Sequence, residues 1–344
     1  RALSARASTL YADPCLIGAP WVTKQLQILY RKITTHTPWL WRRIYESTER
    51  QDFSRKRLPL MAKPEDKLRQ IIADYKPDAI VSTYPLYPYF IERIFEQTTP
   101  KIPVITLVTD SIAINAAWRK APTDFWMVTD QHTKQHLTAA GIAHDQIVDV
   151  GFPVDPHFAD LKPINSEDPI DPLRILYFPT PKKPHVRRVS RELLEATGPN
   201  SKLTIVLGKH LRKIHSRAKE IEDQYPGRVT IKGWTKKVPE LLNNHHVVVG
   251  KAGGATVHEA LAAECPMLIH HLVPGQEEGN LALLRLLNGG DLADDEGILS
   301  QCLNSMLADN ASSWRKMKRD LATHSRPRAA DQAADFILQQ ISLH

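Results

Sequence analysis

The sequence has little of what marks several large protein classes. It contains only three cysteines among 344 residues, Cys15, Cys265 and Cys302, and their spacing builds neither a zinc site nor a disulfide framework. This usage favours a reducing compartment such as the cytoplasm. No apolar run is long enough to cross a bilayer, and neither a G-x4-G-K-[ST] phosphate loop nor a G-x-S-x-G nucleophile turn is present. A disulfide scaffold, a spanning helix and two large enzyme groups are therefore not expected.

The charge of the chain is the first positive feature. The net charge is +7, with 45 Lys and Arg against 38 Asp and Glu. Nucleic acid, anionic lipid and phosphorylated ligands all suit this sign. The basic residues lack the interleaved aromatics of a single-strand binder, so no nucleic-acid partner is expected. The 15 histidines are scattered, and the neighbours in the pairs His245–His246 and His270–His271 diverge on a strand, so no metal site is predicted.

Strand-like and helix-like segments alternate in both halves of the chain. This βαβ rhythm is typical of α/β folds with parallel sheets covered by helices. The predicted strands are 78–83, 103–110, 124–130 and 147–153 in the front half, and 174–178, 203–208, 228–234, 246–250 and 266–271 in the back half.

A proline-rich stretch without periodicity separates the halves. Prolines occupy positions 153, 156, 163, 169 and 172, which is typical of a linker. We therefore predict an N-terminal Rossmann-like domain over 1–153, a linker over 154–172, and a C-terminal Rossmann-like domain over 173–328. The last helix, within 329–344, is predicted to cross back to the N-terminal domain.

The stretch "VVVGKAGGATVHEALAAECP", 247–266, joins a buried strand to a helix through paired glycines. In an open parallel sheet, ligands bind beyond the carboxyl ends of the strands. Gly253 and Gly254 would let the backbone approach a ligand, Thr256 would cap the helix, and the helix start would hold phosphate. Glu259 would meet a sugar diol beside that phosphate. The alternative is a tight strand–helix turn with a solvated glutamate.

Flanking segments carry further motifs in a fixed order. "IKGWTKKVPELL" precedes the glycine turn and "HHLVPGQEEGNLALL" follows it. The front half contributes "STYPLY", "VTDSIAINAAW" and "VTDQHTKQHLTAAGIAHDQIVDVGFPVDPHF". Together they resemble the lipid-sugar glycosyltransferases of glycosyltransferase family 28, the monogalactosyldiacylglycerol synthases and processive diacylglycerol glucosyltransferases. The resemblance covers nearly the whole chain.

The resemblance implies a GT-B fold, in which two Rossmann-like domains face a cleft. The domain over 1–153 would bind acceptor and membrane, and the domain over 173–328 would bind the nucleotide-sugar. The resemblance also implies an inverting transfer of a hexose from a UDP-sugar to a diacylglycerol-type lipid hydroxyl, with UDP-sugar as co-substrate and no other cofactor or metal. By motif position, the implied donor-binding residues are Gly233 and Trp234 for uracil; Gly253, Gly254, Ala255 and Thr256 for diphosphate; Glu259 for ribose; Gln276 and Glu277 for the sugar; and Asn280 in support of the sugar-binding loop.

Two departures from the family pattern leave an alternative open. The G-G-G-H-like loop that carries the family's expected base is not found, and we expect it and the first strand just upstream of Arg1. The Gly-rich loop of the second domain is replaced by the basic "FPTPKKPHVRRV", whose cations either replace amide contacts to the diphosphate or are solvated. The alternative function is a catalytically degenerate relative that binds nucleotide-sugar or lipid without turnover; a third option keeps the enzyme but uses a polyprenyl or other glycolipid acceptor.

Asp110 is the one internal candidate for the base. It ends the predicted strand 103–110, so we expect it at the ligand edge, with Trp118 following it as an acceptor-binding residue. The alternative is an aspartate that caps a turn.

The segment 21–45 is predicted to contact a membrane. It has five cations, no carboxylate and three of the seven tryptophans, which suits the surface of an anionic bilayer. We expect a peripheral position on the cytoplasmic, inner face of the membrane; the alternative is an amphipathic helix packed on the sheet. The predicted contact residues are Trp21, Trp39, Trp41, Arg42 and Arg43, with Trp118.

Overall fold

A computed structural model describes residues 1–50, 61–96, 102–180 and 183–343, with the side chains at 183, 184, 210, 211 and 213 left out. The described chain forms two compact units. Unit 1 comprises 1–153, 273–279 and 329–344, and unit 2 comprises 154–272 and 280–328. In chain order the elements are α1 (Pro14–Gly18), α2 (Pro20–His36), α3 (Pro38–Thr48), α4 (Ala62–Tyr75), β1 (Ile80–Ser82), α5 (Tyr87–Phe95), β2 (Val104–Leu107), α6 (Ala116–Arg119), β3 (Phe125–Val128), α7 (Gln131–Ala139), β4 (Ile147–Asp149), β5 (Arg174–Tyr177), α8 (Lys183–Glu195), β6 (Lys202–Val206), α9 (Leu211–Gln224), β7 (Val229–Lys232), α10 (Val238–Asn243), β8 (Val247–Lys251), α11 (Gly254–Ala262), β9 (Met267–His271), α12 (Glu278–Leu286), β10 (Gly290–Leu292), α13 (Ile298–His324) and α14 (Ala329–Leu343).

Unit 1 is built on a four-stranded parallel sheet in the order β1-β2-β3-β4. Ile105 and Met127 are fully buried at its centre. The last helix, α14, packs against this sheet: Ala333 and Ile337 join the same apolar cluster, and the Phe336 ring meets that of Phe125 edge-on at 5.3 Å. Burial of these side chains holds the C-terminal helix on unit 1.

Unit 2 is built on a six-stranded parallel sheet in the order β10-β9-β8-β5-β6-β7. The chain begins at β5, winds outward to β7, returns to β8 and winds outward again to β10. This is the doubly wound order, and its topological switch point lies between β5 and β8. Its central strands are buried on both faces, as the apolar run 247–249 requires. The carboxyl ends of β5 and β8 are therefore the expected place for a ligand.

The nine predicted strands are confirmed, each within a few residues of its predicted bounds. The tenth, β10, reads Gly-Asp-Leu and is too short and polar to show a strand pattern. The segment 21–45 forms two helices rather than one, because the chain turns at Thr37 and restarts with Pro38 at the first position of α3.

Two segments lie in units to which the sequence analysis did not assign them. The proline-rich stretch 154–172 lies in unit 2, where Ile164 joins the apolar core. The segment Val273–Gly279 lies in unit 1, although the strand before it and most of the helix after it lie in unit 2. Both placements depend on packing between residues distant in sequence.

Candidate functional site

The glycine turn lies at the switch point of unit 2. β8 ends at Lys251, and α11 begins three residues later at Gly254 with Gly253 as its N-cap. The prediction that Thr256 caps the helix is wrong, because Thr256 is the third helical residue and no side chain caps this terminus. The cap residue has φ −70° and ψ 138°, so the turn requires no left-handed backbone here. Without a side-chain cap, the first amides of α11 at Gly254, Ala255 and Thr256 are those a diphosphate could use.

Asn280 fixes the turn from beneath. Its side chain is 1% exposed, and its amide donates a hydrogen bond to the carbonyl of Ala252 at 3.0 Å. The structure thus places this side chain on the residue just before Gly253, within unit 2. In the sequence analysis, Asn280 was assigned to support the loop that carries Gln276 and Glu277. The observed bond instead holds the backbone that leads into the candidate phosphate site.

Glu259 lies on α11, in the turn after these amides. Its side chain is half-buried, and its carboxylate accepts no hydrogen bond from the described residues. Burial, with a smaller contribution from the negative charge of Asp155, raises its pKa to about 7. A half-buried carboxylate without a protein donor lacks the compensation that buried charges normally have. Hydroxyl groups of a ligand would supply it.

The predicted uracil site lies at the edge of the same sheet. Gly233 and Trp234 directly follow β7, and the Trp234 side chain is 60% exposed, so its ring is open to stacking. Two strands, β6 and β5, separate β7 from β8 in the sheet. At about 4.8 Å per strand, the two strand ends are roughly 14 Å apart.

The basic loop after β5 is only partly described. Lys182 lies outside the described residues, and so does the side chain of Lys183. Arg187 pairs with Glu220, and Arg188 lies 4.0 Å from the carboxylate of Glu192. Both arginines therefore already have carboxylate partners within unit 2.

A second group of candidate residues meets in unit 1. Asp110 follows β2, and its carboxylate accepts a hydrogen bond from the indole N–H of Trp118 at 3.0 Å. Burial raises the pKa of Asp110 to about 6, the Trp118 hydrogen bond opposes the rise, and the charge of Glu277 adds to it. A carboxylate with this pKa is a stronger base than an exposed one and is still ionised at neutral pH.

The structure does not place Trp118 at a surface. Its side chain is 5% exposed, and its carbonyl accepts a hydrogen bond from the indole of Trp126 at 2.9 Å. The prediction that Trp118 contacts lipid is therefore wrong. Trp118 is buried, and its indole is the hydrogen-bond partner of Asp110.

Gln276 and Glu277 lie beside Asp110 in unit 1. The Tyr30 hydroxyl donates to the side-chain oxygen of Gln276 at 2.8 Å, and the Glu277 carboxylate accepts from the Val273 amide at 3.0 Å. Sequence reasoning assigned 273–279 to the C-terminal domain and did not identify Tyr30. No local pattern in the mixed polar and apolar helix α2 singles out this tyrosine.

Helices α2 and α3 present an unusually exposed apolar surface. In α2 only Thr34 is buried, and the side chains of Trp21 and Trp39 are 72% and 61% exposed. Arg43 lies over the Trp39 ring at 5.8 Å, whereas Arg42 pairs with Glu278. Trp41 is more enclosed and meets the Tyr30 ring edge-on at 4.8 Å. Further exposed apolar side chains of this helix pair are Leu26, Ile28, Leu29 and Ile44.

No helix within the described ranges is both long and apolar enough to cross a bilayer. The same part of the chain holds no group of three or more His, Cys, Asp or Glu side chains arranged to bind a metal ion.

Two α/β units, each built on a parallel sheet, are the architecture of the GT-B class. Comparison with solved structures supports this fold. MurG of Acinetobacter baumannii matches with a TM-score of 0.58 at 15% identity, covering 81% of this chain and 78% of that one. The MnaA–UDP co-structure from S. aureus matches with a TM-score of 0.58 at 16% identity, covering 85% and 80%. These likenesses show the fold, which confirms the predicted GT-B architecture.

Sequence comparison agrees with the predicted resemblance. Residues 4–154 match the family described as monogalactosyldiacylglycerol (MGDG) synthase. The processive diacylglycerol β-glucosyltransferase of Bacillus cereus (strain ATCC 10987) is 25% identical, covering 93% of this chain and 83% of the relative, and that of Bacillus thuringiensis (strain Al Hakam) is 24% identical over the same shares. The chain is therefore similar to the MGDG synthases and processive diacylglycerol glucosyltransferases, as its motifs predict. It is an enzyme of the glycosyltransferase class.

Proposed function

We propose that this chain is an inverting glycosyltransferase that moves a hexose from a UDP-sugar to a diacylglycerol-type lipid at a membrane surface. The observation that carries the proposal is the switch-point arrangement in unit 2, where uncapped helix amides precede Glu259. Burial raises the pKa of Glu259 to about 7, and its carboxylate accepts no hydrogen bond from the described residues. Amides suit a diphosphate, and a carboxylate suits a ribose diol. The choice of a diacylglycerol-type acceptor rests on the names of the relatives.

In the proposed reaction, the acceptor hydroxyl attacks the anomeric carbon of the sugar with inversion. The bond from that carbon to the UDP oxygen breaks, and the electron pair leaves with UDP. Asp110 takes the proton of the hydroxyl, and the amides at the start of α11 stabilise the charge that develops on the diphosphate. Gln276 and Glu277 orient the sugar through its hydroxyl groups. No metal or further cofactor takes part in this scheme.

The surface formed by α2 and α3 is the proposed membrane contact. Trp21 and Trp39 supply exposed aromatic side chains, and Lys24, Arg31 and Lys32 supply positive charge on the same helix pair. Aromatic and basic side chains together bind the interface of an anionic bilayer. We place the protein on the cytoplasmic, inner face, where anionic lipids are available.

Glu259 provides the test of the donor site. We expect Glu259→Ala to weaken UDP binding roughly 10- to 100-fold, because the loss of a charged hydrogen bond to the ribose hydroxyls costs roughly 1.5–3 kcal/mol. Glu259→Gln should lose much of the same affinity while preserving the shape of the side chain. The affinities are measured by calorimetric titration of each protein.

The control ligand is 2′,3′-dideoxyuridine diphosphate, which lacks both hydroxyls. Its affinity should change far less in either variant. A solvated helix residue predicts a different pattern, in which parent and variants bind both nucleotides equally and only stability changes. Equal UDP binding by Glu259→Ala and the parent would remove the ribose assignment.

A further inference from the structure

Two side chains of the exposed helix pair hold the segment that bears the candidate sugar-binding residues. Tyr30 of α2 donates its hydroxyl hydrogen bond to the Gln276 side-chain oxygen at 2.8 Å. Arg42 of α3 pairs with Glu278, two residues further along the same segment. All four residues lie in unit 1. The segment 273–279, called here the donor loop, is thus tied to both helices.

The backbone of the donor loop is also closely seated. Gly275 has a left-handed φ of +80°, and a Cβ built there would lie 2.8 Å from the Tyr45 ring. A Cβ at Gly279 would lie 1.9 Å from the carbonyl oxygen of Ser111, well inside contact distance. Only glycine fits at these two positions. The loop therefore rests against α3 and against the backbone just after Asp110.

We propose that Tyr30 and Arg42 are positioning residues for the donor sugar, acting through the donor loop. This rests on the proposed function, in which Gln276 and Glu277 bind the sugar. With its oxygen held by Tyr30, Gln276 keeps an amide nitrogen that bonds to no described residue and can donate to a sugar hydroxyl. Neither Tyr30 nor Arg42 contacts the sugar in this scheme. Tyr30 fixes the side chain of Gln276 and Arg42 fixes that of Glu278, the two neighbours of Glu277.

The first test removes the Tyr30 hydroxyl. Tyr30→Phe should weaken the binding of the UDP-sugar roughly two- to tenfold, the range expected for one neutral hydrogen bond, and leave the affinity for UDP unchanged. UDP-glucose and UDP-galactose are both titrated, together with UDP. In Gln276→Ala protein the Tyr30→Phe change should have no further effect, because its partner is already gone. The matched control is Tyr75→Phe, which loses a 3.0 Å bond to Ser8 elsewhere in unit 1.

The second test reverses the ion pair. Arg42→Glu should weaken UDP-sugar binding roughly two- to fivefold, since exposed pairs contribute little, and the swapped double variant Arg42→Glu/Glu278→Arg should recover it. Arg6→Glu, which breaks the exposed pair with Asp335 in unit 1, should not change it. Vesicle flotation of each variant, measured alongside, separates loss of lipid contact from loss of donor positioning.

The outcomes distinguish this inference from the proposed function. Equal UDP-sugar affinity in Tyr30→Phe and Tyr75→Phe, with no recovery in the swapped variant, would overturn the positioning role even in an active enzyme. A parent that binds UDP-sugar and responds as predicted but transfers nothing would overturn the proposed reaction and leave the positioning role standing. A parent that binds no UDP-sugar would overturn both.

Discussion

Two carboxylic acids with raised pKa values, Asp110 and Glu259, have the central roles in the proposed reaction at the residue scale. The cause is burial in both cases, yet their surroundings differ. Asp110 accepts a hydrogen bond from an indole and is near the charge of Glu277, whereas Glu259 has no donor among the described residues. The first environment suits a base that is largely ionised at neutral pH. The second suits a carboxylate that awaits the hydroxyls of a ligand.

The proposed base gives a pH prediction. Asp110 must be ionised to accept a proton, so kcat at saturating UDP-sugar, where Glu259 is already bound to the donor, should rise with pH and level off above about 6, the raised pKa. Trp118→Phe removes a hydrogen bond that favours the ionised form. The pKa of Asp110 should then rise further, and the acid limb of the rate profile should move to higher pH by about one unit.

Asp110→Asn is the companion variant and should lower the rate roughly 10²- to 10⁴-fold across the profile. Trp126→Phe is the control, because its indole bonds to the Trp118 carbonyl rather than to Asp110. An unchanged acid limb in Trp118→Phe, or full activity in Asp110→Asn, would assign the proton transfer to another group.

The sequence was sufficient to identify these candidates: Asp110 by its place at the end of a predicted strand, and Glu259, Gln276 and Glu277 by their positions in the motifs. It could not give their partners. Tyr30 is about 250 residues from Gln276 along the chain, and no local pattern links them. Trp118 was misassigned for the same reason. The sequence near it is the same whether the side chain faces lipid or is buried against Asp110.

At the scale of elements, the glycine turn was predictable because its information is local. A β-branched run, two glycines and a helical pattern specify strand, turn and helix over 20 residues. The helix start was placed too late, because threonine is a common cap and glycine a less common one. In the structure the helix begins at Gly254 with Gly253 as its cap, so Thr256 is already the third helical residue.

The helix pair α2–α3 gives a prediction at the same scale. Arg31→Glu/Lys32→Glu should release the protein from vesicles that contain anionic lipid, since each cation near such a surface contributes about 1 kcal/mol. Binding of the parent should weaken with salt, because exposed charges are screened over about 8–10 Å at physiological ionic strength. Flotation with vesicles of defined composition measures both effects.

Arg31 and Lys32 are better probes than Arg42, whose charge is matched by Glu278. The control pair is Lys316→Glu/Arg319→Glu on α13, an equally exposed surface of unit 2. If both double variants float with vesicles as the parent does, the α2–α3 surface does not bind the bilayer through its charge.

At the scale of the whole molecule, the βαβ rhythm predicted two parallel α/β units, and the fold agrees. The alternation of strands and helices does not predict which unit each segment belongs to. Ile164 packs into the core of unit 2, and Gly279 fits only against the backbone at Ser111 in unit 1. These placements come from contacts between residues far apart in the chain, which composition and periodicity do not encode.

Transfer of sugar to lipid is the most direct test of the account. The full protein is incubated with radiolabelled UDP-glucose or UDP-galactose and vesicles that contain diacylglycerol and anionic phospholipid. We predict labelled glycolipid of inverted anomeric configuration and an equal amount of UDP, with Asp110→Asn reducing both. Tight binding of UDP without labelled lipid from either sugar would contradict the account and identify a binding protein that does not turn over.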